Sequence, residues 1–189
     1  NGGHLDTFLK DMDMLAGETT LISTDSSSNQ ANNRSYFSSI SADGLVVAFE
    51  SLADNLVGST STTLRRIYVK NTTANNTLIA SSDSSGGPGN DDSDGGGGSG
   101  ELVSDDGRYV AFMSHSNNLV GSDTNLATDI FVKDTSTSQT TRVSTDSNGN
   151  QGNGDSIDAS ISGDGRHVVF ASLANNLVVT DSNGLQDIF

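Results

Sequence analysis

The feature that most constrains this chain is repetition. Residues 102–134, LVSDDGRYVAFMSHSNNLVGSDTNLATDIFVKD, recur in altered copies along most of the 189 residues. Asp-Gly pairs stand at Asp43-Gly44, Asp106-Gly107 and Asp164-Gly165, and apolar runs follow them at 45–49, 109–113 and 167–170. A strand-like segment recurs as Thr7-Phe8-Leu9-Lys10-Asp11, Ile67-Tyr68-Val69-Lys70-Asn71, Ile130-Phe131-Val132-Lys133-Asp134 and Ile188-Phe189. Another recurs as Thr20-Leu21-Ile22-Ser23, Thr77-Leu78-Ile79-Ala80 and Arg142-Val143-Ser144. The spacing is 58 residues from Gly107 to Gly165 and 63 from Gly44 to Gly107, the difference falling in the glycine run Gly95-Gly96-Gly97-Gly98. A fixed period of this size marks a repeat architecture, and the glycine insertion is expected in a loop.

Each copy holds four short strands between turn-rich loops, with no helical periodicity. Asp-Gly is the dipeptide that best tolerates positive φ in a two-residue hairpin turn. The run Tyr109-Val110-Ala111-Phe112-Met113 carries no charge, as in a strand covered on both faces. Four antiparallel strands per repeat is the composition of a β-propeller blade, so the expected class is all-β. The S-x-D-G-R-x-V-x-F core at 104–112 and 162–170, followed by N-N-L-V and then D-x-N-x-x-x-D-I-F-V-K-D, resembles the TolB-type, WD-repeat-like propellers of bacterial exported and periplasmic proteins. The resemblance implies a secreted, cell-surface or periplasmic location. Such blades serve adhesins, scaffolds and accessory domains of hydrolases alike, so the fold does not give the function.

The copies divide the chain into a partial blade at 1–35 (third and fourth strands), a blade plus glycine-rich loop at 36–100, a blade at 101–157 and a partial blade at 158–189 (first to third strands). Propellers close with about 4–8 blades. The expectation is therefore a segment of a longer array, with a six-bladed ring of two chains as the alternative. Both leave open sheet edges, which predicts a protein partner or self-association.

Charge narrows the partners. Lys and Arg number 9 against 24 Asp and Glu, a formal net charge of −15. That argues against nucleic acid and anionic membranes, which need basic patches, and favours cations. No apolar stretch reaches the length of a membrane helix, so no membrane insertion is expected. Cysteine is absent, which removes disulfides, zinc-thiolate sites and thiol nucleophiles, and fits export.

The acidic loops carry the most chemistry. Asp123, Asn125 and Asp129 stand at positions 1, 3 and 7 of one loop, and Asp181, Asn183 and Asp187 repeat the spacing, with Gly184 easing the turn. Alternate side-chain oxygens followed by a carboxylate can wrap a hard cation, so calcium is the expected cofactor at these six residues. The matching places in the second blade hold Thr60, Thr62 and Arg66, which should not bind, and the N-terminal copy keeps only Asp6. No catalytic residue is assigned: His4, His115 and His167 lack a base–nucleophile–orienter set. The glycine run lacks the Lys-Ser/Thr ending of a phosphate loop and has Asp91, Asp92 and Asp94 beside it. Two functions are expected: a non-catalytic, calcium-stabilised exported module for protein or ligand binding, or the accessory propeller of a larger peptidase- or glycosidase-type hydrolase.

Overall fold

The computed structural model describes residues 3–12, 17–58, 63–96 and 100–189. Among them lie thirteen strands and no helix. The strands form four antiparallel meanders in chain order. The first holds β1 (Phe8–Lys10) and β2 (Thr19–Leu21). The second holds β3 (Ser35–Ile40), β4 (Val46–Ser51), β5 (Arg66–Asn71) and β6 (Asn76–Ile79). The third holds β7 (Ser93–Asp94), β8 (Tyr109–Ser114), β9 (Asp129–Asp134) and β10 (Thr140–Arg142). The fourth holds β11 (Ser156–Ile161), β12 (Val168–Ser172) and β13 (Asp187–Ile188). These are propeller blades, two of them with four strands.

Alternate side chains of an inner strand point to opposite faces, and in β4 and β8 both faces are largely buried against neighbouring sheets. Val47 and Phe49 of β4 pack towards the first sheet with Leu9, Ile22 and Ala31, whereas Ala48 packs towards the third sheet with Val110, Phe112 and Phe131. One blade on, Ala111 and Ile130 pack against Phe170 and Leu177 of the fourth sheet. The repeat alignment places Phe49, Phe112 and Phe170, and likewise Leu56, Leu119 and Leu177, as equivalent core residues, and all six are buried. Each phenylalanine stacks on the aromatic ring of its neighbouring strand, with centroids 5.8 Å apart for Phe49–Tyr68 and Phe112–Phe131 and 5.9 Å for Phe170–Phe189.

One local expectation needs correction. The Asp-Gly pairs are not the centre of two-residue turns. Ser41 N–H donates to Val46 O, so the loop between them has four residues, and only its glycine takes positive φ: 73° at Gly44, 71° at Gly107 and 69° at Gly165. The aspartate instead caps the loop, Asp43, Asp106 and Asp164 each accepting from the hydroxyl two residues before them and the amide two residues after.

Gly95 and Gly96 lie outside the strands, directly after β7. Ser93 and Asp94 pair with Ser114 and Met113, and Val103 bridges Val110 further along the same strand, so the insertion interrupts a first strand. The first strand of the second sheet starts at Ser35, of the third at Ser93 and of the fourth at Ser156. The register shifts at the corresponding place in β3 and β11, where Phe37 (φ 45°) and Asp158 (φ 55°) are left-handed. Gly97, Gly98 and Ser99 lie outside the described residues.

Polar motif residues stitch blade to blade. The N-N pair of N-N-L-V reaches the preceding linker: Asn90 N–H donates to Asn118 Oδ1 (3.0 Å), and Asn118 Nδ2 donates to Pro88 O (3.1 Å). Asn153 with Asn176, and Asn32 with Asn55, repeat the arrangement. Lys133 of β9 is buried at 3 % exposure and donates to Ser82 Oγ, Asp83 O and Thr140 Oγ1 at 2.9–3.1 Å.

Candidate functional site

The first acidic loop feeds β9, and the fold brings its three predicted residues together around a cation the chain itself supplies. Arg142, on the neighbouring strand β10, places Nη1 3.5 Å from Asp123 Oδ1 and 3.5 Å from Asp129 Oδ2. All three side chains are buried, Arg142 at 6 % exposure, Asp123 at 3 % and Asp129 at 0 %. Gln151 Nε2 donates to Asp123 Oδ1 (3.0 Å) and Asp129 Oδ2 (3.3 Å), and Ser144 Oγ donates to Asp129 Oδ1 (2.5 Å). Asn125 turns its amide towards Asp129 Oδ2 (3.3 Å) and Gly152 O (2.8 Å), while its Oδ1 accepts from the Ala127 amide (3.0 Å). Burial raises the Asp129 carboxyl above its ordinary value, with Ser144 and Arg142 acting in the opposite sense. The oxygens that a metal would need are thus engaged by protein donors.

The second acidic loop has the same shape without the guanidinium. Asn183 Oδ1 accepts from the Leu185 amide (2.7 Å), and Asn183 Nδ2 reaches both Asp187 oxygens at 3.1 and 3.3 Å. Gly184 takes φ 66°, where the first loop forces Leu126 to φ 58°. Asp181 Oδ1 is shut off from solvent and has no hydrogen-bond partner among the described residues. In the N-terminal copy Asp6 repeats the tie of Asp129, accepting from Ser23 Oγ and Gln30 Nε2 at 3.0 Å each. In the second blade buried Arg66 holds the place of Asp129, and Thr60 and Thr62 lie outside the described residues.

Sequence reasoning missed Arg142, Gln151 and Lys133. Lys133 carried a signal in its recurrence as Lys10 and Lys70 within the third-strand motif, and Lys70 does donate to Asp25 O (2.9 Å). Arg142 carried none, since Leu21 and Ile79 hold its place elsewhere. The histidines stay apart: His115 contacts Thr128 Oγ1 at 3.1 Å, His167 is exposed with Nδ1 3.9 Å from Asp164, and His4 is exposed. A cavity of about 430 Å³ lies beside the interrupted strand, lined by Phe8, Phe37, Ile40, Val47, Gly96 and Leu102 among others.

No family model matches the chain, and no curated protein matches it. Among solved structures it is similar to one described as the crystal structure of the tricorn protease, with a TM-score of 0.54 and 10 % identity. The likeness covers 96 % of this chain but 14 % of that one, and at this identity it concerns the β-propeller-like all-β fold.

Proposed function

We propose that this chain is a non-catalytic, TolB-type propeller module of an exported protein, binding protein through its open blade faces. One observation carries the reading: the two terminal faces bear the residues that blades use on each other. Ile130 is buried against the fourth sheet, whereas its counterpart Ile188 is 70 % exposed, and Val169, in the place of buried Ala111, is 52 % exposed. At the other end Phe8 is 60 % exposed where Tyr68 and Phe131 are buried. Apolar faces beside strand edges are association surfaces. Sedimentation velocity tests this: the chain should associate as its concentration rises, and Ile188→Asp should suppress the association. A chain that stays monomeric throughout would overturn the reading.

The second reading, an accessory propeller of a larger hydrolase, draws on the likeness to a protease of which this chain spans 14 %. Under it the open faces dock the catalytic domain, and hydrolysis is seen only when that domain is supplied. Calcium belongs to the proposal at Asp181, Asn183 and Asp187, where no guanidinium approaches among the described residues. At Asp123, Asn125 and Asp129 the ion would have to displace Arg142. Calorimetric titration should therefore find one site, lost in Asp187→Asn.

A further inference from the structure

Glu50 breaks the repeat. Its register partner is Ile67, and the same register puts Met113 opposite Ile130 and Ala171 opposite Ile188, so the place is otherwise apolar. Glu50 is 0 % exposed, and no hydrogen bond of ordinary geometry reaches either carboxylate oxygen. An ionised carboxylate in that setting is strongly disfavoured against a protonated one.

The groups facing it come from two blades. Tyr36 is its cross-strand partner on β3, and Arg65, leading into β5, has Nη1 3.9 Å from Glu50 Oε1. Across the blade junction stand Asp94 of β7 and the Gly95 amide. Arg65 is already committed, with Nη1 2.5 Å from Asp94 Oδ2 and Nε 3.2 Å from Asp92 Oδ2. One guanidinium thus serves three carboxylates, and Glu50 is the most distant. We propose that buried Glu50 carries the exchangeable proton of a cluster in which Arg65 ties the second sheet to Asp94 of the third, so that this blade junction tightens when Glu50 is protonated and loosens when it ionises.

Burial first, then the Asp94 charge, push the Glu50 carboxyl up from 4.5 to about 7, against the pull of the Tyr36 hydroxyl, Arg65 and the Gly95 amide. Burial and then the Glu50 charge push Tyr36 up to about 12. Because the folded chain holds the proton that the unfolded chain releases, stability is full below pH 4.5 and falls as pH rises towards 7. Asp94 also accepts from the Gly96 amide at 2.6 Å, just after β7 and beside the cavity that Gly95 and Gly96 help to line. Repulsion from an ionised Glu50 therefore loosens that point first.

Urea unfolding of the 189-residue chain between pH 5 and 8 tests this coupling. The folding constant of the unaltered chain should fall on the order of fiftyfold across that range, and Glu50→Gln and Glu50→Met should lose most of this slope. Methionine is included because Met113 shows that the place accepts it. A carbon-13 titration of the Glu50 carboxyl in the unaltered chain should have its midpoint near 7, moving down in Asp94→Asn. A midpoint below 5, a slope unchanged in both Glu50 variants, or a midpoint indifferent to Asp94→Asn would each overturn the proposal.

Discussion

Replacing Arg142 by leucine, the residue that Leu21 places at this point of the N-terminal blade, takes the cation out of the first acidic loop and leaves its carboxylates in position. At 3.5 Å and an effective dielectric constant of about 20, each of the two ion pairs is worth about 5 kcal/mol before solvation is counted. Releasing the buried guanidinium returns several kcal/mol of its desolvation cost, so a net loss of about 3–5 kcal/mol is expected at pH 7. The loss comes from Asp123 and Asp129, which stay buried with no counter-charge but each other. Without the guanidinium the Asp129 carboxyl, already raised by burial, rises further in the folded variant, so the variant's deficit should shrink as pH falls towards 4. A calcium ion can now take the vacated place, and at a hundred times its Kd would return about 2.7 kcal/mol. The assay is urea unfolding of both chains at pH 4 and 7, with and without calcium. A loss under about 1 kcal/mol, equal at both pH values, would show that Arg142 is not holding two ionised carboxylates.

Three further outcomes follow from the same geometry. Phe112→Ala removes a fully buried ring stacked on Phe131 and should cost about 3–5 kcal/mol in urea unfolding. Phe170→Ala should cost less, because Phe170 lies in the terminal three-stranded sheet whose outer face is exposed. Leu126→Gly relieves a left-handed residue that is 88 % exposed and, after the added chain entropy, should raise stability by up to about 1 kcal/mol by thermal melting.

The blades themselves were legible in the chain. The period and the apolar runs that carry Phe49, Phe112 and Phe170 follow from strands buried on both faces, and that pattern is local. The loop residues were legible as a set too, since Asp123, Asn125 and Asp129 do converge. What their convergence means was not, because the charge between them comes from Arg142, thirteen residues beyond Asp129 and unmatched in the other copies. Likewise, the alternation fails at the register shifts beside Phe37 and Asp158, where the backbone turns left-handed. Local pattern determined which residues form strands and which face the core. Only the stacking of one sheet on the next decided which charged groups meet their partners: it set Arg65 against Asp92 and Asp94, and Lys133 against Ser82 and the Asp83 carbonyl. Strand periodicity is a property of neighbouring residues, whereas electrostatic partnership depends on distances that exist only once separate blades have packed.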